Sequence, residues 1–151
     1  MNPSLPELIR WRVHLRSPRE RVYTAISTAA GRAAFGAESP EVRPGASGAA
    51  TIEFRFSNGG RLLSEVLEEL PLTRYRLTYI GGSTVTFELQ EANGGGTDLT
   101  LTEVESPLED RLQNYAGWIS VLLSLKAMLD HGVDIRNHHP AKTWEAGFVD
   151  V

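Results

Sequence analysis

Residues 106–134 read SPLEDRLQNYAGWISVLLSLKAMLDHGVD, and this stretch decides the fold. Its apolar residues recur at helical spacing, with Leu108, Leu112, Tyr115, Ile119, Leu122, Met128 and Leu129 on one stripe, widened by Trp118 and Leu125. Ser106 is placed to cap the helix. Pro107 would sit at the first helical position, where its missing N–H costs nothing. Glu109 would complete a capping box, and Gly132 is the stop. About 25 residues at roughly 1.5 Å each make a rod of about 37 Å. A rod of that length needs a large surface to cover its apolar stripe.

The preceding residues supply that surface as strands. Leu8 to Arg16 alternates, with Ile9, Trp11, Val13 and Leu15 on one face and Arg10, Arg12, His14 and Arg16 on the other. Ser17-Pro18-Arg19-Glu20 then opens a short helix whose inner stripe is Val22, Tyr23 and Ile26, and Gly31 is expected to break it. A second short helix or turn follows at 32–36, then a Gly/Pro/Ala/Ser-rich loop with a weak strand near Glu41 to Arg43. Ala50 to Phe56 alternates again and leads into Asn58-Gly59, a hairpin signal. Arg61 to Leu70 is a strand whose blurred alternation predicts a bulge. Thr73 to Ile80, Ser83 to Gln90 and Thr97 to Glu105 complete the set, turned at Gly81-Gly82 and Asn93-Gly94-Gly95-Gly96. The tail, 134–151, is too polar and broken for a regular element.

The expected architecture is α+β: a helix-grip fold in which a curved antiparallel sheet of six or seven strands wraps a long C-terminal helix, with two short helices after the first strand. The chain of 151 residues is expected to form one domain, residues 1–151, with an irregular tail. Such a sheet buries one face only if a helix covers it.

That element order resembles the START-like, or birch-pollen-allergen-like, superfamily, also called SRPBCC. The likeness is greater to the branch named after the activator of the heat-shock-protein-90 ATPase. It is carried by SPRERVYTAIST at 17–28, by the strand-rich middle containing NGGRLLSEVLEELP, and by GWISVLLSLKAMLDHGVDIRNHHPAKTWEAGFVDV at 117–151. Members of that branch often have a tryptophan in the second short helix; here Arg32-Ala33-Ala34-Phe35-Gly36 has none. The resemblance implies the fold. It leaves function wide, because the superfamily includes lipid carriers, hormone receptors, polyketide cyclases, oxygenase domains and chaperone regulators.

A helix gripping a curved sheet can enclose a space of order 300–1,000 Å³. The candidate lining is Phe54, Phe56, Tyr75, Tyr79, Phe87, Glu103, Tyr115, Trp118, Ile119 and Leu122; the alternative is that these residues fill a solid core. Glu103 shares the inward face of the last strand with Leu99 and Leu101, unless a bulge turns Val104 inward instead. On the blurred strand either Ser64 or Glu65 could point in. An inward Glu could orient a ligand or act as a base.

Other chemistry is thinly represented. Net charge is −4, which gives no electrostatic reason to bind nucleic acid or an anionic membrane. With no cysteine, thiolate catalysis and zinc–thiolate sites are excluded. No signal peptide or membrane span is readable, so a cytoplasmic location is expected. His131, His138 and His139 near Asp130, Asp134 and Asp150 invite a metal reading, but lack ligand spacing. The glycine-rich turns join strands and do not open helices, so no phosphate loop, cofactor or metal is expected. Arg136 could hold the tail to the body, and Trp144 could pack over an apolar edge or extend the cavity rim.

Three functions fit. The first is binding of a small hydrophobic or aromatic ligand in the grip cavity. The second is an enzyme of cyclase, dehydratase or hydrolase type, with Glu103, Tyr75 or Tyr79 as the acid–base group. The third, which the resemblance implies, is a chaperone partner, contacted through the tail or the basic stripe of the first strand. The tail could equally form a homodimer interface.

Overall fold

A computed structural model describes residues 8–36, 42–44, 50–55 and 60–151. The order is β1 (Leu8–Leu15), α1 (Arg19–Ser27), α2 (Ala29–Phe35), β2 (Val42–Pro44), β3 (Ala50–Arg55), β4 (Arg61–Leu70), β5 (Arg74–Thr78), β6 (Thr84–Glu91), β7 (Thr97–Val104) and α3 (Leu108–His131). A single 3₁₀ turn, Ile80–Gly82, links β5 to β6. The strands form one antiparallel sheet in the order β1-β7-β6-β5-β4-β3-β2. This is the α+β helix-grip arrangement: a curved open sheet with α3 across it and two short helices between β1 and β2.

The sheet faces follow the alternation in the sequence. Ile9 and Leu15 of β1, Val85, Phe87 and Leu89 of β6, and Leu99 and Leu101 of β7 are buried, while Arg10, Arg12, His14 and Arg16 are exposed. The bulge in β4 falls between Val66 and Glu68, where the register against β5 shifts and Leu67 turns to solvent. Ser64 points inward and Glu65 outward. The Asn58-Gly59 hairpin and Phe56 lie outside the described residues.

The predicted capping box of α3 is absent, and Ser17 does not cap α1. Pro107 and Pro18, not Ser106 and Ser17, stand at the helix caps, and neither helix has a side-chain cap. Ser17 is used over a longer range: its hydroxyl bonds the Leu129 carbonyl and the Asp130 carboxylate at the far end of α3. Gly31 does not break a helix. It lies inside α2, where a Cβ would come within 2.5 Å of the Ala25 backbone, so its lack of a side chain lets α2 pack against α1. The break is Thr28, whose hydroxyl caps α2 through the Gly31 N–H. Gly132 ends α3 as expected. It is left-handed at φ 65°, with Gly132 N–H on Met128 and Val133 N–H on Ala127.

The buried face of α3 is rotated from the predicted stripe. Trp118, Leu122, Ser124 and Leu125 are buried, whereas Leu108, Leu112 and Ile119 are exposed. The helix is apolar on more of its circumference than the sheet covers. Part of its inward side is Asn114, Gly117 and Ser124, so spacing alone could not locate the seam.

Candidate functional site

The sheet and α3 do not close into a solid core. Between them lies a cavity of about 530 Å³. Its inner wall is apolar: Ile26 of α1, Phe54 of β3, Leu77 of β5, Val85 and Phe87 of β6, and Trp118 and Val121 of α3. Three aromatic rings surround Trp118 or each other here. Tyr79 sits 5.0 Å from the Trp118 ring centre, Phe87 meets Trp118 edge-on at 6.3 Å, and Phe54 meets Tyr79 edge-on at 6.4 Å. Such tilted and edge contacts are favourable aromatic geometry.

Trp118 is held by Glu103. The alternation of β7 runs without a bulge, so Glu103 follows Leu99 and Leu101 to the inward face and is fully buried. One carboxylate oxygen accepts from Trp118 Nε1 at 2.7 Å and the other from Asn114 Nδ2 at 3.0 Å. Glu103 is thus behind the wall that Trp118 and Asn114 present, not on its surface. Burial pushes the Tyr79 phenol well above its ordinary value, and the Glu103 charge adds to the shift. Tyr79 is therefore a neutral hydroxyl at the cavity wall.

The remaining candidates separate from this group. Tyr75 is buried in the core, edge-on to Tyr23 at 6.1 Å and beside Arg32. Leu122 is also core. Tyr115 is half-buried on the β1 side, its ring 4.7 Å from Trp11, and its carbonyl accepts from Trp11 Nε1. Ile119 is on the outer flank and 40% exposed. The structure therefore brings together Phe54, Tyr79, Phe87 and Trp118, with Glu103 in support.

Several lining residues were not read from the sequence. Arg32 of α2 is buried on the cavity wall, donates to the Ile26 carbonyl at 3.1 Å and stands 6.0 Å over the Phe54 ring. Burial lowers its pKa from the usual guanidinium value, opposed by Tyr75 and Glu69. Gly117 lines the cavity from the middle of α3, and a Cβ built on it would meet nothing within 4 Å. A glycine inside a helix costs about 1 kcal/mol relative to alanine, so a mid-helix glycine is a feature the sequence makes visible.

The tail forms the mouth. Arg136 spans from Asp134, which it grips through Nε and Nη2, to the carbonyls of Ala33 and Gly36 at the end of α2. The Arg136 and His138 bonds hold the Asp134 carboxyl well below the usual carboxylate range, although burial opposes them. Asn137 closes a loop onto Asp150, and Ser120 of α3 donates to the Val149 carbonyl. This folding brings Asn137, His138, His139, Lys142, Trp144 and Glu145 to the cavity. Arg136 thus anchors the tail to the body, and Trp144 lies at the cavity rim.

The site offers an apolar body space with hydrogen-bond donors around it. Among the described lining residues Glu145 is the one carboxylate side chain. Among the described residues, no group of three or more His, Asp or Glu gathers to hold a metal, and no helix is long and apolar enough to cross a membrane.

Comparison with known proteins bears on this architecture. No curated protein matches the chain. The chain is similar to the crystal structure of SSP2350 from Staphylococcus saprophyticus, at 27% identity and TM-score 0.71, over 85% of this chain and 96% of that one. It is similar to CV1439 from Chromobacterium violaceum, at 28% identity and TM-score 0.67, over 83% and 99%. The solution structure of the Aha1 dimer from Colwellia psychrerythraea shares the fold at 23% identity and TM-score 0.69, over 83% and 97%. A family model described as Activator of Hsp90 ATPase homolog 1-like protein matches residues 16–130, about three quarters of the chain. This protein therefore belongs to the Activator of Hsp90 ATPase homolog 1-like family.

Proposed function

We propose that this protein binds a small hydrophobic or aromatic molecule between the sheet and α3. The observation that carries this reading is the cavity of about 530 Å³, whose inner wall is Phe54, Leu77, Tyr79, Val85, Phe87, Trp118 and Val121. A space of that volume falls within the range of small-molecule sites. Burying about 300 Å² of apolar ligand surface at about 25 cal/mol per Å² contributes about 7 kcal/mol before ordering costs, which sets the tightest Kd that burial alone supports at about 10 µM.

The enzyme reading has less support. Glu103 spends one oxygen on Trp118 and the other on Asn114, and Tyr79 holds its proton firmly. The chaperone-partner reading rests on the family's name, and the basic stripe does little for it. His14 is bonded to Asp98, and Arg16 to His131. The Colwellia relative is described as a dimer; self-association of this chain is a proposal that light scattering after size-exclusion chromatography checks.

The test of ligand binding is titration with N-phenyl-1-naphthylamine, a neutral dye that fluoresces in apolar surroundings. Saturable binding at one equivalent, with a raised Tm, supports the reading. A linear, unsaturable signal with no change in Tm rejects it.

A further inference from the structure

We propose that the cavity's ligand carries an anionic group, and that Lys142 in the tail loop is the residue that selects it. This rests on the cavity reading above and names the class of molecule that would fit.

Cationic side chains outnumber carboxylates on the described lining of the cavity. The chain is net −4, yet its described lining includes the cations Arg32, Arg55, Arg136 and Lys142 against one carboxylate side chain, Glu145. Glu145 is not an unpartnered acid. Three of the cations have work elsewhere. Arg32 donates to the Ile26 carbonyl, Arg55 lies 3.6 Å from Glu53, and Arg136 is spent on Asp134 and two carbonyls of α2. The Lys142 side chain makes no ion pair or hydrogen bond among the described residues. Its Nζ lies 5.9 Å from the centre of the Phe148 ring.

The backbone that carries Lys142 is fixed. Its N–H donates to the His139 carbonyl at 3.0 Å, and its carbonyl accepts from Asn137 Nδ2 at 3.2 Å. Asn137 is itself tied to Asp150, and Arg136 anchors the base of the loop to α2. His139 adds a neighbouring donor. Its Nδ1 accepts from the Ala141 N–H at 3.1 Å, which places the proton of the neutral ring on Nε2. An ammonium and an imidazole N–H at the mouth of an apolar space match an amphiphile with an acidic head and an aromatic or aliphatic body. The family model ends at residue 130, so this selecting loop lies outside the part of the chain that the family model matches.

The experiment is displacement of N-phenyl-1-naphthylamine by 2-naphthoate and by 2-naphthylmethanol, which differ in charge and little in shape. Each variant's competition constants are read against its own affinity for the dye. In the wild type, 2-naphthoate should compete about fivefold more strongly, the scale of one solvent-accessible ion pair. Lys142→Ala should abolish or reverse that preference, and Lys142→Arg should retain it. Equal competition in the wild type, or an unchanged preference in Lys142→Ala, overturns the proposal while leaving the cavity reading standing. If the dye fails to bind the wild type, the cavity reading falls and this inference with it.

Discussion

The indole N–H of Trp118 donates to the Glu103 carboxylate at 2.7 Å, and this bond fixes the ring that forms one wall of the cavity. The same carboxylate takes a second bond from Asn114, so one β7 side chain sets the orientation of two α3 residues. Glu103→Leu leaves the buried Trp118 donor and the half-buried Asn114 donor unmet and should cost about 3 kcal/mol. Glu103→Gln should cost about half as much. Its carbonyl can serve Trp118, and its amide can serve Asn114 once that amide turns to present its oxygen. Urea denaturation of both variants checks this; equal losses would refute the arrangement.

The end of α3 is latched to the turn between β1 and α1 through Asp130. Burial alone would raise its pKa, but the N–H groups of Arg16 and Ser17, the Ser17 hydroxyl and Lys126 lower it to about 2. The folded-state value lies below the unfolded one of 3.8. The contribution to stability is therefore complete above about pH 4 and is lost as pH falls from about 4 to about 2. At about 1.4 kcal/mol per unit it amounts to about 2 kcal/mol. Asp130→Asn should lose about that much at pH 7 and should flatten the stability profile between pH 4 and pH 2. An unchanged acid profile in the variant would show that the latch is not the titrating element.

Arg136 is the tail's anchor, and its side chain is 9% exposed. Arg136→Ala removes bonds to the Ala33 and Gly36 carbonyls and leaves Asp134 without its principal partner. Stability should fall by about 1–3 kcal/mol. Hydrogen exchange should accelerate at the end of α2 and through the 137–150 loop, and little in β6 and β7. Uniform acceleration across the sheet, or none in the loop, would contradict this role.

What was legible in the sequence was periodic. The β1 and β7 alternation and the position of α3 follow from repeats of two or of about three and a half residues, and the β4 bulge from a break in the repeat of two. The misreadings came from side chains with two uses. Ser17 and Ser106 have the composition of caps, yet Ser17 serves a bond more than a hundred residues away and Ser106 is buried before a proline-started helix. Ile119 fits an apolar stripe that is wider than the sheet it faces. Glu103 could be placed on the inward face, but its partners on α3 depend on helix rotation, which spacing did not determine. Lys142 and His139 reach the cavity only through the fold of an irregular tail, and no local pattern encodes that path.

Gly117 offers the most direct test of the open cavity, because a side chain there would enter empty space from the middle of α3. Gly117→Leu also gains helix propensity, about 0.8 kcal/mol. The account predicts that this variant folds with equal or higher Tm and no longer binds N-phenyl-1-naphthylamine. A variant that binds the dye as the wild type does, with the same stoichiometry, would show that the ligand space is not between the sheet and α3.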